Sequence, residues 1–260
     1  MNKIQILLLV LASVAIIGLY QLPRVVVENE QLASIETHDL STSAEDEAVF
    51  SSLRQLLNTT SEIKKSINFA DSLAELYLKY QMIDSAAKYA DYILSLDDSR
   101  LASYTGALIY YRAFQMSNSP EQSRVLAGRA EQEFRSLLVD DSENSLLKNK
   151  LAMTLMVTEA PMVGVQMLRE ILEEDPNNRE TILNLGLLAI RSRQYDKAIG
   201  RFETLMELDP NDYESLFYLG VSQIEIGDTL AGKKAFEKIV DTEGVDAALK
   251  ATASTYIQDL

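Results

Sequence analysis

Residues 180–210 read ETILNLGLLAIRSRQYDKAIGRFETLMELDP, and the fold turns on this stretch. Ile182, Leu185 and Leu188 recur at three-residue spacing, as do Phe202, Leu205 and Leu208. That spacing predicts two amphipathic helices in succession. Gly186 and Ala198 are small residues that let the paired helices approach closely. Pro210, after Asp209, stops the second helix and starts the next one.

The pattern repeats in both directions. Pro176 and Pro210 stand 34 residues apart, and so do Gly186 and Gly220. Four acidic turns close the units: Leu96–Ser99, Val139–Ser142, Glu174–Asn178 and Leu208–Asp212. Ser142 lies 34 residues before Pro176, but Asp98 lies 44 before Ser142. The loop Ser117–Ser123 is expected to absorb the ten extra residues.

The residues inside this period resemble the tetratricopeptide repeat (TPR). Residues 180–210 carry Leu185-Gly186, Tyr195, Ala198, Phe202 and Asp209-Pro210, and residues 214–240 carry Leu219-Gly220, Gly227-Asp228, Phe236 and Ile239. Residues 146–176 keep Leu151-Ala152, Gly164, Leu168 and Pro176. Residues 68–98 keep Ala74, Tyr77, Ala86 and Ala90, and 102–142 keep only Tyr111, Ala130, Phe134 and Leu137. The resemblance implies an all-α solenoid of four to five helical hairpins, each of which must stack on its neighbours to cover its apolar faces. Two flanking elements are expected. A short helix over 45–57 presents Val49, Phe50, Leu53, Leu56 and Leu57, with Thr60-Ser-Glu-Ile capping the helix that follows. A cap helix over Val245–Leu260 presents Ala247, Ala248, Ala251 and Tyr256.

Upstream, Ile4–Tyr20 contains no charged residue, and with Gln21 and Leu22 it approaches the ~20 residues of a spanning helix. Pro23 and Arg24 end the run, and Glu28, Glu30, Glu36 and Asp39 follow. The division expected is a transmembrane anchor over 1–24, a flexible polar tether over 25–44 that includes His38, and a repeat domain over 45–260. Lys3 and the amino terminus place the N-terminus in the cytoplasm of a bacterial inner membrane and the repeats in the periplasm. A cleaved signal peptide, with Ser13 and Ala15 at its site, is the alternative and leaves a soluble periplasmic protein. Leu22-Pro-Arg-Val-Val-Val-Glu28 and the stretch Glu159–Glu173 are similar to membrane-anchored TPR proteins of the Bacteroidota.

Composition narrows the function. Lys+Arg 24 against Asp+Glu 39 gives −15, which argues against a nucleic-acid footprint. With no cysteine and one histidine, the chain offers no disulfide, no Cys/His zinc set and no cysteine nucleophile. No enzyme activity, cofactor, metal or small-molecule substrate is expected. The resemblance implies instead that the first helix of each hairpin lines a concave groove. Counted from Pro176 and Pro210, the candidate partner-binding residues are Asn149, Met153, Met156, Leu183, Asn184, Leu187, Ile190, Arg191, Phe217, Tyr218, Val221 and Ile224. They are largely apolar and suit a helix or extended segment of a protein partner. The competing expectation is that they pack on neighbouring helices. Asn149, Lys150, Asn184 and Arg191 also resemble part of a carboxylate clamp, but the other expected basic positions are apolar. Glu170, Glu173, Glu174 and Asp175 read as a solvated helix end, and Asn58-Thr-Thr as a chance glycosylation pattern. The function expected is a membrane-anchored scaffold or adaptor that assembles or stabilises an envelope complex. An accessory or regulatory subunit of a membrane enzyme is the alternative.

Overall fold

A computed structural model describes residues 43–158 and 160–260. The expected anchor, and all but the last two residues of the expected tether, lie outside them. Among the described residues there are twelve α-helices and no strands. These are α1 (Ala44–Thr59), α2 (Ile63–Lys79), α3 (Ile83–Leu96), α4 (Arg100–Met116), α5 (Pro120–Asp140), α6 (Ser145–Leu155), α7 (Pro161–Glu174), α8 (Arg179–Arg191), α9 (Tyr195–Leu208), α10 (Tyr213–Glu225), α11 (Thr229–Asp241) and α12 (Ala247–Gln258). None is long and apolar enough to cross a membrane; the segment read as a span, 4–22, lies outside the described residues. Phe50–Leu260 forms one compact unit, and the described residues up to Val49 fall outside it.

Within Phe50–Leu260 each helix packs on the next, giving five antiparallel hairpins from α2/α3 to α10/α11. The first helices of successive hairpins also touch: α2 with α4, α6 with α8, and α8 with α10. The acidic turns make these junctions. Asp175 and Asp209 accept the N–H of Asn177 (3.2 Å) and Asn211 (2.9 Å), bending the chain tightly beyond the preceding helix. Asn178 and Asp212 then accept from the N–H groups of Thr181 and Ser215 and so cap the next helix. Asp97 with Ser99, and Asp141 with Asn144, do the same work without proline.

Two expectations are corrected. The ten extra residues of the second unit do not sit in a loop over Ser117–Ser123: they lengthen α4 to 17 and α5 to 21 residues. Ser119 caps α5 and Pro120 stands in its first turn, and either is a helix-start signal. Thr60 does not cap α2, since its hydroxyl accepts from Glu62 N–H, one residue short of the helix. A helix does form over the expected C-terminal cap, and in it Ala247, Ala248 and Ala251 are exposed while Ala253 is the one fully buried. The helical period explains this, because Ala253 shares a face with Leu249 and Ile257.

The core follows the repeat. Phe202 and Phe236, both 0% exposed, lie beneath Gly186 and Gly220. A Cβ on Gly186 would come within 2.8 Å of the Phe202 ring. At Gly164 it would meet the Ala152 carbonyl at 2.4 Å. Hairpin closure depends on their having no side chain.

Candidate protein-binding face

The first helices of the hairpins share one face, and the structure divides the candidate residues on it. Asn149 and Asn184 are buried. The Asn184 amide donates to Asn149 Oδ1, Asn149 Nδ2 donates to Thr181 Oγ1 (2.7 Å), and Thr181 donates to Asn178 Oδ1 (2.8 Å). This chain of amides joins α6 to α8, so both asparagines are engaged in the repeat junction. Met156 and Ile224 turn toward the second helix of their own hairpins, against Gly164 and Gly232. Tyr218 stacks on Phe202 at 5.6 Å, and Phe217 stands 5.3 Å from Phe236 and 5.4 Å from Tyr256 of α12. Met153, Leu183, Leu187, Ile190 and Val221 are half-buried, each packed against the core with part of its surface outward. Arg191 is exposed.

Charged side chains on this face pair across repeats. Lys150 reaches Glu180 (3.2 Å) and lies 5.0 Å from the centre of the Tyr111 ring. Burial, with Glu180 adding to it, pushes the Tyr111 hydroxyl pKa up to about 12. Arg179 bonds Asp212, whose side chain is 3% exposed, and Arg112 pairs with Glu75. Asp71 has one buried carboxyl oxygen with no hydrogen-bond partner. Burial raises its pKa, against the downward pull of Arg112. Asp71, Glu75 and Arg112 were left unassigned from the sequence because the first two units lack the closing proline. Counting from Ala74 as the counterpart of Gly186 would have found two of them, since Asp71 and Glu75 then match Leu183 and Leu187. Among the described residues, no three His, Asp or Glu side chains are placed to hold a metal ion.

This architecture is that of a helical-repeat protein, a class whose stacked units create extended binding surfaces. Residues 164–219 and 214–242 match two family models of the tetratricopeptide repeat. The α7–α11 region thus carries tetratricopeptide repeats, and such repeats serve typically as non-catalytic scaffolds for protein–protein interaction. Compared with curated proteins, the chain has no match. Among solved structures it is similar to YrrB, described as a TPR protein with an unusual peptide-binding site: 20% identity, 79% of this chain and 97% of that one, TM-score 0.45. It is also similar to MamA (17% identity, 72% and 97%, TM-score 0.42). A third is the C-terminal part of a TPR repeat-containing protein from Cytophaga hutchinsonii (14% identity, 84% and 90%, TM-score 0.44).

Proposed function

We propose that this protein is a scaffold held at a bacterial inner membrane by residues 4–22, with its repeats in the periplasm, and that it assembles or stabilises an envelope protein complex. One observation carries the binding part: Leu183, Leu187, Ile190 and Val221 leave apolar surface outward on one face, where Lys150 pairs with Glu180 and Arg179 with Asp212. Such a surface suits an apolar partner segment. The uncharged run Ile4–Tyr20 supports the anchor, which would raise the local concentration of the repeats at the membrane.

Leu187→Glu should cut recovery of membrane partners from native membranes at least about tenfold, the order expected when a central apolar contact is lost. Its far-UV circular dichroism should match that of the wild type. Unchanged recovery would remove the face from the reading. Deleting residues 1–27 tests the anchor separately. Recovery that survives the deletion makes the repeats the binding module, whereas recovery that vanishes while the repeats stay folded points to an accessory subunit docked by its anchor.

A further inference from the structure

The C-terminal end of this face is closed by the chain's own last helix. Tyr256 of α12 meets Phe217 edge-on at 5.4 Å and lies tilted against Phe236 at 5.0 Å. The hold is thin. α12 buries Ala253 alone, whereas α11 buries Gly232, Ala235, Phe236 and Ile239. Leu249 and Ile257 are half-buried, and Tyr256 is 37% exposed.

Polar ties are also missing. Among the described residues, no hydrogen bond or ion pair joins α12 to α10 or α11. The hydroxyls of Thr252, Ser254 and Thr255 donate to carbonyls of α12 itself, and Asp246 caps its own helix. The junction between α8 and α10, by contrast, carries Arg179–Asp212, and that between α6 and α8 carries Asn149–Thr181. The connection into α12 passes through Gly244, whose φ of +84 is a left-handed conformation that glycine adopts freely.

We propose that α12 is an exchangeable occupant of the face formed by Phe217 and Phe236. The element that replaces it is an amphipathic helix of a partner, presenting a small residue and an aromatic one turn apart in the places of Ala253 and Tyr256. The inference rests on the protein-binding role above and specifies the partner's element. The chemistry is read from the present occupant. Ala253, 0% exposed, puts a small side chain in the buried place, while Phe217 and Phe236 together hold one further ring. A partner helix would gain Phe217, a candidate groove residue that the intact chain covers.

The test uses the full chain in detergent and a fluorescent peptide of residues 245–260, followed by anisotropy. In the wild type the attached helix competes, so the peptide should bind weakly. Tyr256→Ala loosens that helix and raises the open fraction, so the chain should bind the peptide about tenfold tighter or more. Leu249→Ala, a second loosening variant, should act in the same direction. A peptide carrying Tyr256→Ala should bind neither chain, and adding Phe217→Ala to the loosened chain should abolish binding. Hydrogen exchange of the wild type should show α12 opening far faster than α11. Two results would overturn the proposal: α12 amides as protected as those of α11, or loosened chains of unchanged helicity that bind the peptide no better than wild type. Either result, with Leu187→Glu still cutting partner recovery, would remove the exchange and leave the scaffold reading standing.

Discussion

At Gly186 the backbone of α8 lies close enough to the fully buried Phe202 ring that any side chain must move it. Overpacking of this kind costs about 1–3 kcal/mol. Gly186→Leu should therefore lower the urea midpoint of unfolding markedly, by circular dichroism. Gly200→Ala is the control, because a Cβ there meets nothing within 4 Å on an exposed helix position. It should be neutral or stabilising by about 0.5–1 kcal/mol. Asp71 makes a different demand. Its raised pKa means that the folded state holds this proton more tightly than the unfolded chain does. Its contribution favours folding at pH below the unfolded carboxylate value and is lost as pH rises through the folded one. Asp71→Asn should then stabilise the protein at neutral pH and flatten the dependence between acid and neutral pH. Denaturation across that range reads both effects, and a less stable neutral protein would refute the assignment.

Between elements, the amides of Asn149 and Asn184 connect consecutive first helices. Asn149→Ala leaves the buried Asn184 amide without its acceptor and removes the bond that the Thr181 hydroxyl accepts, at a cost of about 1–3 kcal/mol. Arg135→Ala, which removes an exposed pair with Glu131 on one helix, should change stability by less than about 0.5 kcal/mol. Equal effects in urea denaturation would mean that the amide chain is not a structural tie. These asparagines also show how far the sequence could be read. Their position on the first-helix face was legible from the 34-residue period, because one helical phase serves every repeat. Their burial was not, since it depends on Thr181, a neighbour 32 residues from Asn149 whose hydroxyl no periodicity announces. The same limit applied to α12. Alanines at Ala247, Ala248 and Ala251 suggest a packed face as readily as Ala253 does, and only the docking against Phe217 and Phe236 selects among them. The lengthened α4 and α5 escaped because the period breaks there, although Ser119-Pro120 marked a helix start within the expected loop.

Over the whole of Phe50–Leu260, stability is a sum of hairpins and of the junctions that couple them. Arg179–Asp212 couples the last two hairpins and neutralises an aspartate whose side chain is 3% exposed. Arg179→Ala should weaken that coupling more than the fold of either hairpin. Equilibrium unfolding is then expected to separate into two steps, α10–α12 melting before the rest, followed by hydrogen exchange in urea. A single sharp transition in the variant would show that packing alone couples the repeats. The turns that join the hairpins lead further. At Asp175–Asn178 and Asp209–Asp212 the backbone N–H groups that bend the chain and open the next helix are met by side chains of the turn itself, at most three residues away. A hairpin lying between two such turns carries the bends at both of its ends with it. A lineage can therefore duplicate or excise one whole unit by recombination without inventing a new joint, and so alter the length of the array in steps of a single hairpin.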